Sequence, residues 1–272
     1  MMATNNSGAG RPCAARRGGG PGAFRRGPRT APWPVLLLAA FSVCLASIAG
    51  DEVKSKFAKR AEQGYLQARR HFWSNTNDVE STWQFGRASF DWAEFARDDE
   101  QREQLASEGI SVCRQAVAKA PRSAAAHYYL AMNIGQLART KMLGALKLVP
   151  EMEKEFKAAR DLDEKFDYAG SDRNLGLLYL DAPGWPASIG GKSKARRHLQ
   201  RAVEVAGGYP GNRLCLLEAY QRWGEAGNLE RERKSLAELW EKAKKEFSGD
   251  VWEENWLDWD RRWKRIQEKA GK

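Results

Sequence analysis

The sequence predicts an all-α fold, about ten antiparallel helices stacked in pairs as an α-solenoid. Two observations carry this. Three helical phrases recur at one interval: Cys113-Arg114-Gln115-Ala116, Phe156-Lys157-Ala158-Ala159 and Leu199-Gln200-Arg201-Ala202, with closing alanines 43 residues apart. Self-similarity at such a period marks helical repeats that cannot bury their apolar faces alone and therefore stack. After Asp51, moreover, apolar residues recur at three- and four-residue intervals, and no stretch alternates as a half-buried strand would.

The helices follow in order. Lys54 to Phe72 places Phe57, Ala61, Tyr65, Ala68 and Phe72 on one face. Trp83 to Phe95 comes next, then Arg102 to Lys119, stopped by Pro121. Ala124 to Lys141 carries His127, Leu130, Ala131, Ile134 and Leu137 on one side. Met142 to Asp161 reads as a helix broken near Pro150. Gly170 to Tyr179, Lys194 to Ala206, Asn212 to Trp223, Glu230 to Phe247 and Asp250 to Lys269 complete the array. Turn signals separate them: Gly207-Gly208-Tyr209-Pro210, Gly227-Asn228 and Ser248-Gly249.

One helix of each pair carries a phrase with a small residue after leucine. Leu175-Gly176-Leu177-Leu178-Tyr179 is the clearest, and Leu130-Ala131-Met132-Asn133-Ile134 and Leu216-Leu217-Glu218-Ala219-Tyr220 are looser copies. The other helix carries an alanine with a larger apolar residue three positions earlier. The small residue lets two backbones approach, and the larger one fills the neighbouring groove. These phrases resemble the tetratricopeptide pattern, whose period of about 34 residues is shorter than that seen here. The expected home of the excess is longer loops, Lys141–Pro150 and Asp181–Lys192.

Residues 1–49 read as a targeting segment and 50–272 as the helical domain, of which 250–269 form a Trp-rich terminal helix. The first 34 residues are rich in Gly, Pro and Arg. An apolar run from Val35 to Ala49 follows, shorter than the ~20 residues that span a bilayer. Ser47-Ile48-Ala49 offers a cleavage site. Export to a periplasm is the expectation; an uncleaved membrane anchor at residues 35–49 and an organelle transit peptide are the alternatives. The net charge of +10 invites a nucleic-acid partner, but six arginines and no acid lie in residues 1–49. The rest carries +4 with both signs interspersed, a solvated surface more than a phosphate track.

Nothing in the chain spells out catalysis or a metal centre. His71, His127 and His198 are far apart, there is no C-x2-C, and Cys113 and Cys215 sit at apolar helix positions as buried thiols. The carboxylate pairs Asp98-Asp99, Asp161/Asp163 and Glu253-Glu254 lack the spacing of a calcium loop. Gly190-Gly191-Lys192-Ser193 imitates a phosphate loop, but the required first glycine falls on Pro186. No cofactor is expected, and the protein is read as a binding protein, not an enzyme.

A closer resemblance covers most of residues 80–225. His127-Tyr128-Tyr129-Leu130-Ala131-Met132-Asn133-Ile134-Gly135, Asp163, Asp181-Ala182-Pro183 and Lys194-Ala195-Arg196-Arg197-His198-Leu199 extend the repeat phrases, with Trp83, Gly86, Arg87, Ala88 and Trp92 upstream. Their order resembles the T component of TRAP transporters, a family of exported tetratricopeptide-like proteins. The resemblance implies a non-catalytic protein that associates with a periplasmic solute-binding protein and can form homo-oligomers. A generic tetratricopeptide scaffold unrelated to transport, or a small-ligand-binding solenoid, is the alternative.

Aromatic and loop residues are the expected contacts with a protein partner: Tyr128, Tyr129, Trp185, Ile189 and Trp223. Trp252, Trp256, Trp259 and Trp263 are spaced 4, 3 and 4 apart, one stripe of the terminal helix. The stripe reads either as a cap on the preceding pair, including Trp240 and Phe247, or as an interface with a partner or second copy. A membrane-surface role fits less well because the opposite face mixes both charges.

Overall fold

A computed structural model describes residues 51–141 and 144–270. The targeting segment, the apolar run at 35–49 and its cleavage site lie outside the described residues. Ten α-helices follow one another: α1 (Asp51–Ser74), α2 (Val79–Ala93), α3 (Asp99–Lys119), α4 (Ala124–Arg139), α5 (Ala145–Leu162), α6 (Phe166–Asp181), α7 (Lys192–Val205), α8 (Pro210–Arg222), α9 (Ala226–Glu246) and α10 (Glu253–Ala270). A 3₁₀ turn, Asp250–Trp252, leads into α10. Among the described residues there is no strand, and no helix is long and apolar enough to cross a membrane.

Local chemistry sets the boundaries. Asp78, Asp98 and Ser123 accept a backbone N–H from the first turns of α2, α3 and α4, satisfying donors that a helix start leaves orphaned. Because Asp78 caps it, α2 begins four residues before the start at Trp83 that its apolar pattern suggested. Pro150 does not break α5, which runs through it. It lies near the helix start, where it removes one backbone hydrogen bond, and buried Val149 and Met152 on either side hold the helix to the core. The expected long loop at 141–150 is correspondingly short, since α5 starts at Ala145. The loop after α6 is long, from residue 182 to 191. Much of the repeat's excess length is therefore held in long helices, such as the 21-residue α3 and α9.

The alanine ladder is the packing core. Ala116, Ala159 and Ala202 are fully buried, as are Cys113, Phe156 and Leu199 one turn earlier. The pattern has a fourth member in α9, Trp240 with Ala243, both buried. Glycine sets the tightest approach. A Cβ on Gly176 of α6 would lie 2.6 Å from Leu199 Cγ and 3.1 Å from the Leu199 backbone nitrogen of α7. Because the backbone of α7 cannot yield as a side-chain tip can, Gly176→Ala should cost about 1–3 kcal/mol, read from the urea midpoint. A loss below about 0.5 kcal/mol would mean that α6 and α7 do not pack this closely.

Curvature follows from which helices meet. α2 packs on α4, α4 on α6 and α6 on α8, whereas the alternate helices α3, α5, α7 and α9 do not pack on one another in this way, and α3 reaches α5 through the long Arg114–Glu151 pair (2.7 Å). Even-numbered helices α2 to α8 therefore line the inner wall and their odd-numbered partners the outer one. Two buried side chains, Asn133 and Asn212, tie the layers. Asn133 Nδ2 donates to Gly86 O (2.9 Å) and Tyr129 O (2.8 Å), and Asn212 Nδ2 donates to Tyr168, Ala202 and Ala206 carbonyls.

Cys113 and Cys215 are both buried and unpaired with each other. Burial pushes the Cys113 thiol above its ordinary range, so the reactive thiolate is suppressed. Both thiols should resist a thiol reagent such as dithionitrobenzoate in the native state and react in denaturant; rapid native labelling would contradict their burial.

Candidate functional site

The inner wall gathers aromatic and charged side chains from distant parts of the chain. On α2 and α4, Trp83 stacks on Tyr129 (5.7 Å between centroids, 5° between planes). Phe166, at the start of α6, meets Trp83, Tyr128 and Tyr129 edge-on. The Arg87 guanidinium lies 5.9 Å from the Tyr129 ring and 3.5 Å from Asp91. The result is an aromatic shelf with an exposed arginine and carboxylate at its edge.

α6 enters this wall through an unusual step. Asp167, Tyr168 and Ala169 have φ of 50°, 54° and 59°, left-handed conformations that cost non-glycine residues roughly 1–2 kcal/mol each. Side chains hold the step in place. Arg173 donates to Asp167 Oδ2 (2.6 Å), to the Asp167 and Tyr168 carbonyls (3.3 Å each) and to Asn212 Oδ1 (2.9 Å). Tyr128 donates its hydroxyl to Asp167 Oδ2 (2.5 Å) and accepts from Asn174 (3.0 Å). The step turns Tyr168 outward, 40% exposed and stacked on Tyr209 at 4.7 Å.

The terminal helix does not extend the array. α10 packs on α8 of the inner wall: Arg262 binds Glu218 through two hydrogen bonds (2.9 and 2.7 Å), and Trp259 meets the Tyr209 ring at 5.1 Å. Its other end reaches the first helix, where Lys56 pairs with Glu253 (2.6 Å) and Arg60 donates to the Asp250 carbonyl (2.8 Å). Both ion-pair partners are exposed, so this end-to-end contact is worth under about 1 kcal/mol.

Glu254, beside that contact, has no ion-pair or hydrogen-bond partner among the described residues. Burial, with the nearby charges of Asp91 and Glu94, lifts its carboxyl to about 7. Asp91 rises to about 6, chiefly because the surrounding wall displaces water although 47% of its side chain is accessible. A carboxyl raised in the fold is penalised when it ionises, so this penalty is absent below its ordinary value near 4.5 and complete above about 7. Thermal stability should therefore fall as pH rises from about 5 to about 8, and Glu254→Gln should flatten that slope. An unchanged slope in the variant would place the titration elsewhere.

The residues expected from the sequence are distributed unevenly. Tyr128 and Tyr129 meet on α4, but Tyr128 is 1% exposed and positions Asp167, while Tyr129 is 7% exposed under Trp83 and Arg87. Trp185 is 89% exposed at the tip of the 182–191 loop, and Ile189 on that loop packs against the central core. The loop is closed by Gly190 N–H to Pro183 O (2.8 Å) and Gly191 N–H to Tyr179 O (2.9 Å). Trp223 is covered by Arg196 at 5.0 Å and Lys192 at 5.5 Å, both held by Glu225. Of the terminal stripe, Trp259 and Trp263 are buried, and Trp252 and Trp256 are partly buried against the same cluster, with Trp240 and Phe247. Among the described residues no three His, Cys, Asp or Glu side chains converge as metal ligands. Arg87 stands in the sequence only within a repeat phrase, Glu254 only in a carboxylate pair and Asp91 in no pattern, because only the curvature of the array brings α2 and α10 together.

Comparison with known proteins agrees with the architecture. A family model described as "Regulator of microtubule dynamics protein 1-3" matches residues 49–165, under half of the chain. The crystal structure of TTC0263, a thermophilic TPR protein of Thermus thermophilus, aligns over 79% of this chain and 94% of that one, with a TM-score of 0.55 and 19% identity. MamA aligns over 73% and 98%, with a TM-score of 0.48 and 18% identity. No curated protein matches the chain. The fold is thus a tetratricopeptide-like all-α solenoid.

Proposed function

We propose that the protein is a non-catalytic helical-repeat scaffold that holds a protein partner along its inner wall. The observation that supports this most is the wall's composition: an aromatic shelf with exposed Arg87, next to Asp91 and an unpartnered Glu254. A cationic side chain entering there would compensate Glu254, which has no ion-pair partner among the described residues, and add to the Arg87 charge beside Asp91, while the shelf offers apolar area. Affinity capture from native extract, with wild type and an Asp91→Lys, Glu254→Lys double variant, tests this reading. Wild type should retain a partner that the double variant loses. Equal retention by both would place the partner elsewhere.

Two partner classes have support beyond the geometry. The family match over residues 49–165 favours a role in microtubule regulation. Co-sedimentation with polymerised tubulin would reveal it, and a protein that stays in the supernatant at every tubulin concentration would count against it. The phrases at 127–220, whose order resembles that of TRAP-transporter T components, favour a solute-binding protein and an exported location. Recovery of such a protein in the capture, and a mature N-terminus near Gly50 by mass spectrometry, would support that reading. An intact Met1 would remove cleaved export from it.

A further inference from the structure

On the outer wall, a cleft of about 930 Å³ runs between the α5–α6 connection and α7. We propose that it binds a carboxylate-rich segment of a partner protein, independently of the inner wall.

Most charged groups in the cleft are already engaged. Every acid in the cleft has a partner: Asp161 holds Arg160 (2.7 Å), Glu164 and Glu204 hold Arg201 (2.6 and 3.1 Å), and Asp163 accepts the Lys165 backbone N–H (2.9 Å). Asp172 holds His198 Nδ1 (2.6 Å). The charged side chains left without a hydrogen-bond or ion-pair partner among the described residues are cations, Arg197 and Lys165, both exposed. α7 itself carries five Lys/Arg and one acid.

A buried group points the same way. The His198 side chain is 6% exposed and lines the cleft, and its Nε2 has no partner among the described residues. Its Nδ1 is fixed by Asp172, a carboxylate 2% exposed whose second oxygen is sealed without any donor. With Nδ1 held by Asp172, the unpartnered Nε2 edge is the one left to meet an incoming ligand in the cleft. Ser193, from the glycine-rich stretch that only imitates a phosphate loop, adds a hydroxyl at one end.

Dimensions set the ligand. From Ser193 to Glu204 the α7 side of the cleft spans about 16 Å at about 1.5 Å per residue. That accommodates about five residues of extended chain. A short acidic peptide therefore fits, engaging Arg197, Lys165 and His198.

Fluorescence anisotropy with the full chain and labelled hexaglutamate, against hexaglutamine, tests the proposal. Hexaglutamate should bind saturably, and several-fold more weakly at about 300 mM than at about 50 mM salt, because exposed charges are screened. The Arg197→Glu, Lys165→Glu double variant, altered only at exposed positions, should lose at least tenfold in affinity. His198→Gln should weaken binding severalfold with an unchanged circular dichroism spectrum, and Asp91→Lys should leave it intact. Equal binding of the two peptides, or full affinity in the charge-reversed variant, would overturn the proposal. A gain in affinity on Asp91→Lys, with no loss in the Arg197→Glu, Lys165→Glu variant, would move the acidic site to the inner wall.

Discussion

Replacing Trp259 with alanine should destabilise the protein by about 3–5 kcal/mol, among the larger costs of a single core truncation. The indole is 2% exposed and sits among four rings, Tyr209, Phe247, Trp252 and Trp256, at centroid distances of 5.1, 6.0, 6.0 and 4.9 Å. Truncation removes one of the largest buried apolar surfaces of the chain and leaves a cavity whose rigid walls cannot collapse. The effect extends further than the site, because Trp259 is the central anchor of α10 on α8. Trp252→Ala, partly exposed in the same cluster, should cost less than half as much. Urea unfolding at neutral pH measures both. A Trp259→Ala loss under about 1 kcal/mol would mean that α10 is not docked on the inner wall.

The second large effect is electrostatic. Arg173→Met should cost about 2–4 kcal/mol although methionine nearly conserves the volume, because removing one member of a desolvated ion pair leaves the other charge uncompensated. Here the orphan would be Asp167, 32% exposed, which lowers the expectation from the fully buried case. Arg173 also donates to the carbonyls of two of the three left-handed residues, so its loss leaves backbone strain with less to hold it. A double-mutant cycle with Asp167→Asn separates the two contributions. If the coupling energy were below about 0.5 kcal/mol, the ion pair would not be what stabilises the step.

The sequence revealed the architecture because one periodicity dominates it. The alanines at 116, 159 and 202 announced the outer helices, and their complete burial is the packing reason for the rhythm. The fourth copy is masked in the sequence because Ala243 falls 41 residues after Ala202, two short of the period, and because tryptophan replaces the smaller apolar residue before it. Helix starts depend on caps, so the apolar pattern places the start of α2 too late, after the weakly apolar turn that follows Asp78. The regular part of α6 was read from Gly170, but the left-handed step before it was invisible. Asp167, Tyr168 and Ala169 include no glycine to announce positive φ, and what holds them is tertiary, Arg173 and Asn212.

The candidate site was less legible for a related reason. Aromatic residues stand out in a sequence whether they face a partner or a core, and Tyr128 is core. Charged residues do not stand out among 45 Lys/Arg and 35 Asp/Glu. The relation of Asp91 to Glu254 emerges only when curvature and the return of α10 bring them within electrostatic reach of one another.

Site-specific photo-crosslinking tests the central claim, partner binding on the inner wall, most directly. A photoreactive phenylalanine analogue placed at Arg87 or Asp91 reports on the inner wall, and one at the exposed Lys154 of α5 reports on the outer wall. Irradiation in the native extract should give a discrete crosslinked protein from the two inner positions, lost in the presence of excess unlabelled wild type, and none of that species from Lys154. The same adduct from Lys154, with none from Arg87 or Asp91, would contradict the account.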